Sequence, residues 1–324
     1  MEWIISHESA IEFWRNANKE NIRNLKKLQV LKPPVLPLDT KKAEDEKYHN
    51  LSIPLHVLVG SDNARKVTRS LKCHISSGEY PYGSFAMMPS GLIVSSPELC
   101  FLQMASKISF IELVRLGYEF CGSYRLDKRK GFIGGMPQLT NISKLNSYIQ
   151  KSTGSHGRKT AIKALRFLID GSASPMETIL TMLLTLPYKL GGYGFPKPQL
   201  NYRIEVSDKV TSSKIKQTSR PTFYCDLYWP DKKIAVEYDS DEYHSGAFRI
   251  EKDAIRRNAL ESVGVRMITV SRRQLTDATK MREISEVLSR LLGKRLKYVE
   301  KEFISLNAEL MRQLLPEDSI DKYL

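Results

Sequence analysis

The segment that most restricts the fold is 223–239, where FYCDLYW and KIAVEYD alternate strictly on either side of PDK. A period of two marks a strand, so the pair reads as a hairpin. One face, the core face, takes Phe223, Cys225, Leu227, Trp229, Ile234, Val236 and Tyr238; the other takes Tyr224, Asp226, Tyr228, Ala235, Glu237 and Asp239. With Asp231 and Lys232 centring the turn, Asp226 lies directly opposite Glu237, and a slip of one residue would mix the two faces. Like charges so placed destabilise a sheet, and at about 5 Å with an effective dielectric of about 20 the repulsion is roughly 3 kcal/mol. Either one carboxyl keeps its proton, or a divalent cation takes both as oxygen ligands. Asp239, about 7 Å along the strand on the same face, extends the set. An exposed hairpin face whose acids serve only solubility is the plain alternative.

The acids are conspicuous because the chain is basic. Its 324 residues carry 50 Lys+Arg against 36 Asp+Glu, a formal net charge of +14. Such an excess favours a polyanionic partner, since cations that neutralise phosphates release counterions, and nucleic acid fits better than a membrane. No apolar run reaches about 18 residues, and the opening MEWIISHESAIEFWR has acids where a signal peptide needs a basic end, so a cytoplasmic protein is expected. Four cysteines without CxxC spacing support neither a disulfide framework nor a zinc site. They read as core residues.

The fold class expected is α/β, in two domains. Residues 1–50 read as a polar helix followed by a Pro-rich linker, and 51–150 as a small α/β domain with strands at LHVLVG and GLIVSS and helices at SPELCFLQMA and SFIELVRLGYEF. Residues 151–275 read as the main domain, opened by a basic helix carrying Arg158, Lys159 and Lys163. Its order is helix (176–187), strand (199–206), basic loop (207–220), strand (222–229), strand (233–239), helix (248–263), strand (265–271). A helical tail, 276–324, completes the chain.

This order, with Asp226 and Glu237-x-Asp239, resembles the PD-(D/E)XK nuclease superfamily, whose core runs α-β-β-β-α-β. More narrowly, VEYDSDEYH followed by EKDAIRRNALESVGVRMITVS is similar to the short domains related to very-short-patch-repair endonucleases. The resemblance implies that Glu177, Asp226, Glu237, Asp239 and His244 are catalytic, that Asp226, Glu237 and Asp239 bind Mg²⁺ or Mn²⁺, and that Asp253 and Arg256 match the Asp-x-x-Arg of the following helix. Two departures stand out: Ser240 replaces the usual Gly, and Asp239 stands where the wider superfamily has Lys, which leaves water activation to bound metal or to His244. The region 55–125 is similar to the regulator portion of AbiEi-like abortive-infection antitoxins.

Several of these residues also have plainer readings. Glu177 follows Ser174 and Pro175 at capping-box spacing, which needs no catalysis. A lone loop histidine such as His244 is commonly polar surface, and Asp253 fits a salt-bridge ladder along its helix. Lys214, Lys216 and Arg220 in the loop, with Arg256 and Arg257 on the helix, form the candidate phosphate contacts alongside the basic helix. The expectation is a metal-dependent DNA endonuclease of phage defence, repair or a mobile element. The alternatives are a DNA-binding regulator with a non-catalytic nuclease fold, or a ribonuclease toxin; a homodimer or an accessory protein stays open.

Overall fold

The computed structural model describes residues 3–28, 32–33, 48, 50–65, 68–76, 78–206, 222–239, 247–296 and 301–315. The chain forms two compact units, Met1–Asp127 with Ile133–Leu168, and Lys128–Phe132 with Ile169–Leu324. Among the described residues no helix is long and apolar enough to cross a membrane.

In the first unit β1 (Ile4–Ile5), α1 (His7–Asn16), α2 (Lys19–Arg23) and β2 (Lys26–Lys27) precede β3 (Leu55–Val59), β4 (Leu71–Ile75), β5 (Phe85–Met87) and β6 (Ile93–Ser95). These strands make a six-stranded mixed sheet ordered β2-β5-β6-β1-β3-β4. The expected helix over 1–30 is therefore broken into strands and helices, and β1 sits inside the sheet, antiparallel to β3 and parallel to β6. Residues 3–28 group with the first unit.

Helices α3 (Pro97–Met104) and α4 (Phe110–Phe120) start where their N-caps fall: Ser96 accepts from Leu99 N–H, and Ser109 with Glu112 closes a capping box. A short hairpin, β7 (Tyr124–Asp127) and β8 (Gly131–Gly134), leads to α5 (Ile142–Lys151) and α6 (Arg158–Leu165). The basic helix α6 thus groups with the first unit, not with the domain that follows. Arg15 grips the buried carboxylate of Glu119 through two hydrogen bonds of 2.9 and 2.7 Å, which fixes α1 against α4.

The second unit runs α7 (Pro175–Thr185), β9 (Gln199–Glu205), β10 (Thr222–Trp229), β11 (Ile234–Asp239), α8 (Ala247–Ser262) and β12 (Arg266–Ser271). The expected α-β-β-β-α-β order is present, with sheet order β12-β11-β10-β9. β10 is antiparallel to β9 and β11, whereas β11 and β12 are parallel, because α8 carries the chain back across the sheet. Trp229↔Ile234 and Leu227↔Val236 pair as the alternation requires, around a 3-10 turn at Pro230–Lys232.

One expectation fails here. The plain alternative of an exposed hairpin face does not hold near the turn: Ala235 and Tyr228 are buried, packed with Leu260 of α8 and Val265. α7 packs against β10 and β11, and near the turn these two central strands are buried on both faces, Leu227, Trp229, Ile234 and Val236 on one and Tyr228 and Ala235 on the other, while β9 and β12 stay largely exposed. The segment read as a tail is also part of this core. After α9 (Arg272–Leu275) and α10 (Ala278–Leu292), α11 (Lys301–Leu314) stacks Phe303 on Tyr188 at 4.9 Å and donates from Asn307 Nδ2 to the Gly191 carbonyl at 2.7 Å.

Candidate active site

Four acids lie on the elements of the second unit, each placed by a different local rule. Glu177 is at the third position of α7, where its own N–H bonds to Ser174 Oγ at 3.1 Å. Its carboxylate turns back past the cap and accepts from Ala173 N–H and from Asn201 Nδ2, both at 2.9 Å. The cap and the buried acid are thus both present in one residue. Burial pushes the Glu177 carboxyl above its ordinary range, against these hydrogen bonds.

Asp226 lies one step beyond Leu227↔Val236, the last pair of the β10–β11 register, and is near enough to Glu237 to feel its charge. Its Oδ2 accepts from the Tyr238 backbone N–H at 2.8 Å, so the carboxylate is tied across to β11 instead of pointing into solvent. Burial, then the charges of Glu177 and Glu237, push this carboxyl up to about 7, while the Tyr238 N–H and Arg256 oppose the rise. One of the two reliefs anticipated for a facing acid pair, retention of a proton, is therefore built into the fold near neutrality.

Glu237 is buried, 9% exposed, and its Oε1 is ion-paired with Arg256 Nη2, which also donates to the Tyr224 carbonyl. Arg256 is thus a phosphate candidate that the fold instead uses to join α8 to β10 and β11. A guanidinium of the chain itself is a relief that was not anticipated beside the proton and the divalent cation. Asp239 ends β11 as an exposed residue beside Ser271 of β12. Among the described residues Glu177, Asp226 and Glu237 do not close as a set to within 4.8 Å of one another.

Asn201 was not anticipated and is central. It lies opposite Asp226 on β9, between the pairs Cys225↔Tyr202 and Leu227↔Leu200, with a left-handed φ of 47°. Asparagine tolerates that conformation better than most residues. Its amide nitrogen donates to the Gly171 carbonyl, 2.9 Å, as well as to Glu177. The available signal was an Asn within a strand-like run, where Asn is depleted.

The remaining candidates divide. Arg257 is exposed on α8. In the first unit, Arg158 caps α5 through the Ile149 carbonyl at 2.9 Å and Gln150 Oε1 at 3.0 Å, and Lys163 lies 4.9 Å above the Phe110 ring, so both also have structural duties; Lys159 is exposed. His244, Ser240, Lys214, Lys216, Arg220 and the Asp253 side chain lie outside the described residues.

No family model and no solved structure matches the chain. Among curated proteins, it is similar to uncharacterized proteins from two strains of Mycobacterium tuberculosis, 23% identical over 128 residues. That stretch is 40% of this chain and 41% of each relative, so the likeness spans about two fifths of either protein and carries no activity with it.

Proposed function

We propose that the second unit is a metal-dependent DNA endonuclease of the PD-(D/E)XK type. The observation that carries this reading is Asp226. Its carboxyl is partly enclosed on β10, feels the charges of Glu177 from α7 and of Glu237 across the hairpin, and is pushed to about 7. Enclosed acids from a helix and two neighbouring strands of an α-β-β-β-α-β unit are the arrangement the resemblance calls for. Perturbed carboxyls gathered in this way concentrate at functional sites.

The donor type, all carboxylate oxygen, suits a hard divalent cation, and Asp226, Glu237 and Asp239 would hold it once Glu237 leaves Arg256, their ligand atoms standing more than 4.8 Å apart as a set in the paired state. Such an ion, when bound, supplies charge neutralisation at a scissile phosphate and lowers the pKa of bound water. The chain's own part is to hold Asp226 toward β11 through Tyr238 N–H, to fix Glu177 through Asn201 and Ala173, and to release Glu237 from Arg256. A released Arg256, with Arg257 one residue on, gives guanidinium donors for the phosphate backbone. The net charge of +14 suits the same polyanion.

One observation favours a second reading. The Arg256–Glu237 ion pair already neutralises the acid on which the metal depends, as expected of a nuclease scaffold kept for DNA binding in a regulator. Nicking of supercoiled plasmid by the full chain separates the two. The endonuclease reading expects cleavage with Mg²⁺ or Mn²⁺, lost with EDTA and in both Asp226→Ala and Glu237→Ala. Cleavage that survives the chelator or either substitution overturns it; tight DNA binding without hydrolysis in any divalent metal supports the regulator. Matched DNA and RNA strands in the same assay test the ribonuclease alternative.

A further inference from the structure

The first unit contains a second cluster of titratable side chains, unconnected with the carboxylates above. His56 on β3 and His74 on β4 point to the same side of a parallel pair, because Leu58, two residues beyond His56, is in register with His74. His74 Nε2 stands 3.2 Å from His56 Nδ1. Glu8, in the first turn of α1, brings Oε2 to the same His56 Nδ1. These three ligand atoms lie within 4.8 Å of one another, and among the described residues no other group of three His, Cys, Asp or Glu does so.

We infer that Glu8 Oε2, His56 Nδ1 and His74 Nε2 form a binding site for a divalent transition-metal ion of the zinc class. The atoms converge so closely that one hydrogen on His56 Nδ1 would have to serve both Glu8 and His74. A cation accepts a lone pair from each. Two donors about 2.0–2.1 Å from a tetrahedral ion are separated by about 3.3 Å, and the His56–His74 distance of 3.2 Å matches that spacing. Two imidazoles and one carboxylate form a borderline donor set, suited to zinc-class ions and unlike the all-oxygen set of the second unit.

The surroundings hold the ligands in place. Ser9 Oγ accepts the His56 backbone N–H at 2.9 Å, and the His7 ring stacks on His74 with centroids 3.6 Å apart. Three protein donors leave a fourth position to water or a small ligand. His74 also lines a cavity of about 400 Å³ with Arg65, Tyr80, Gln103 and Lys107, which gives such a ligand room.

The test is calorimetric titration of the EDTA-stripped full chain with Zn²⁺ and with Co²⁺. It is run on the unsubstituted protein and on Asp226→Asn/Glu237→Gln/Asp239→Asn, which neutralises the three carboxylates proposed to hold a metal in the second unit. Expected is a single saturable equivalent in both backgrounds, weakened at least about tenfold in His74→Ala and in Glu8→Gln, the scale of loss that even outer partners of a metal produce. Glu8→Gln changes a half-exposed side chain and keeps its acceptor oxygen, so it remains informative if His74→Ala misfolds. Bound Co²⁺ should also give visible absorption that Zn²⁺ displaces. Absence of saturable binding, or binding unchanged in Glu8→Gln and His74→Ala, overturns the inference. Neither result touches plasmid nicking, which stands or falls on Asp226 and Glu237.

Discussion

Replacing Asp226 by asparagine should stabilise the second unit, and by more at alkaline pH. The carboxyl titrates near 7 in the fold against an ordinary 3.8. Because the folded value is raised, the native state holds the proton more tightly than the unfolded chain, and stability falls as pH climbs through the interval between the two values. At ~1.4 kcal/mol per tenfold, complete ionisation costs the fold about 4 kcal/mol, of which about 2.5 kcal/mol is incurred between pH 5 and pH 8. The amide introduced by Asp226→Asn has no charge to ionise, and its oxygen can still accept the Tyr238 N–H now 2.8 Å from Asp226. Urea unfolding in EDTA at pH 5 and pH 8 measures the gap between Asp226→Asn and wild type, which cancels the titration of histidines common to both. The gap should widen by about 2.5 kcal/mol, and Glu177→Gln should recover part of it, since the Glu177 charge is one of the causes. A gap that stays constant or narrows would mean that Asp226 is solvated and ionised like any surface acid, and the site argument would lose its basis.

Arg256→Ala leaves the buried Glu237 without its cation; with Arg256 itself 32% exposed, the expected loss is about 2 kcal/mol in urea unfolding at pH 7, below the range for fully buried pairs. An unchanged midpoint would show that Glu237 does not depend on this ion pair. Two glycines offer a contrast in what gives way. A Cβ at Gly192 would lie 2.1 Å from the Leu186 carbonyl oxygen, whereas one at Gly117 would meet the movable Leu168 Cδ1 at 2.6 Å. Gly192→Ala should lose more than about 3 kcal/mol or fail to give soluble protein, and Gly117→Ala about 1–2 kcal/mol; equal melting temperatures for the two would refute the distinction.

The hairpin register was legible because alternation and turn length constrain the same pairing, and Leu227↔Val236 follows from either. The order of the second unit was legible for a similar reason, each strand being long enough to show its period. What alternation cannot reveal is whether the polar side of a strand meets water or another layer. Tyr228 and Ala235 are compatible with both, and only the packing of Leu260 decides it. β1 and β2 are two residues long, too short to carry any period, so the entry of the N-terminal segment into a sheet left no trace in the pattern. In the candidate site, Asp226 and Glu237 stood out as facing acids. Asn201 did not, because its contribution is a left-handed backbone that only the fold demands. The Glu8, His56 and His74 cluster is assembled from a helix and two strands far apart in the chain, with no spacing to betray it.

The docking of α11 on the turn at Tyr188–Leu190 and on α7 has a consequence for biosynthesis. Every element of the first unit's sheet precedes residue 96, and its helices are finished by residue 165, so that unit can mature on the ribosome while the rest is still being made. The second unit cannot: the helix that bears Glu177 waits for residues 301–314 to emerge and cover it. The cover that α11 gives to α7 and to the Tyr188–Leu190 turn is therefore the last of the described packing to become available during synthesis.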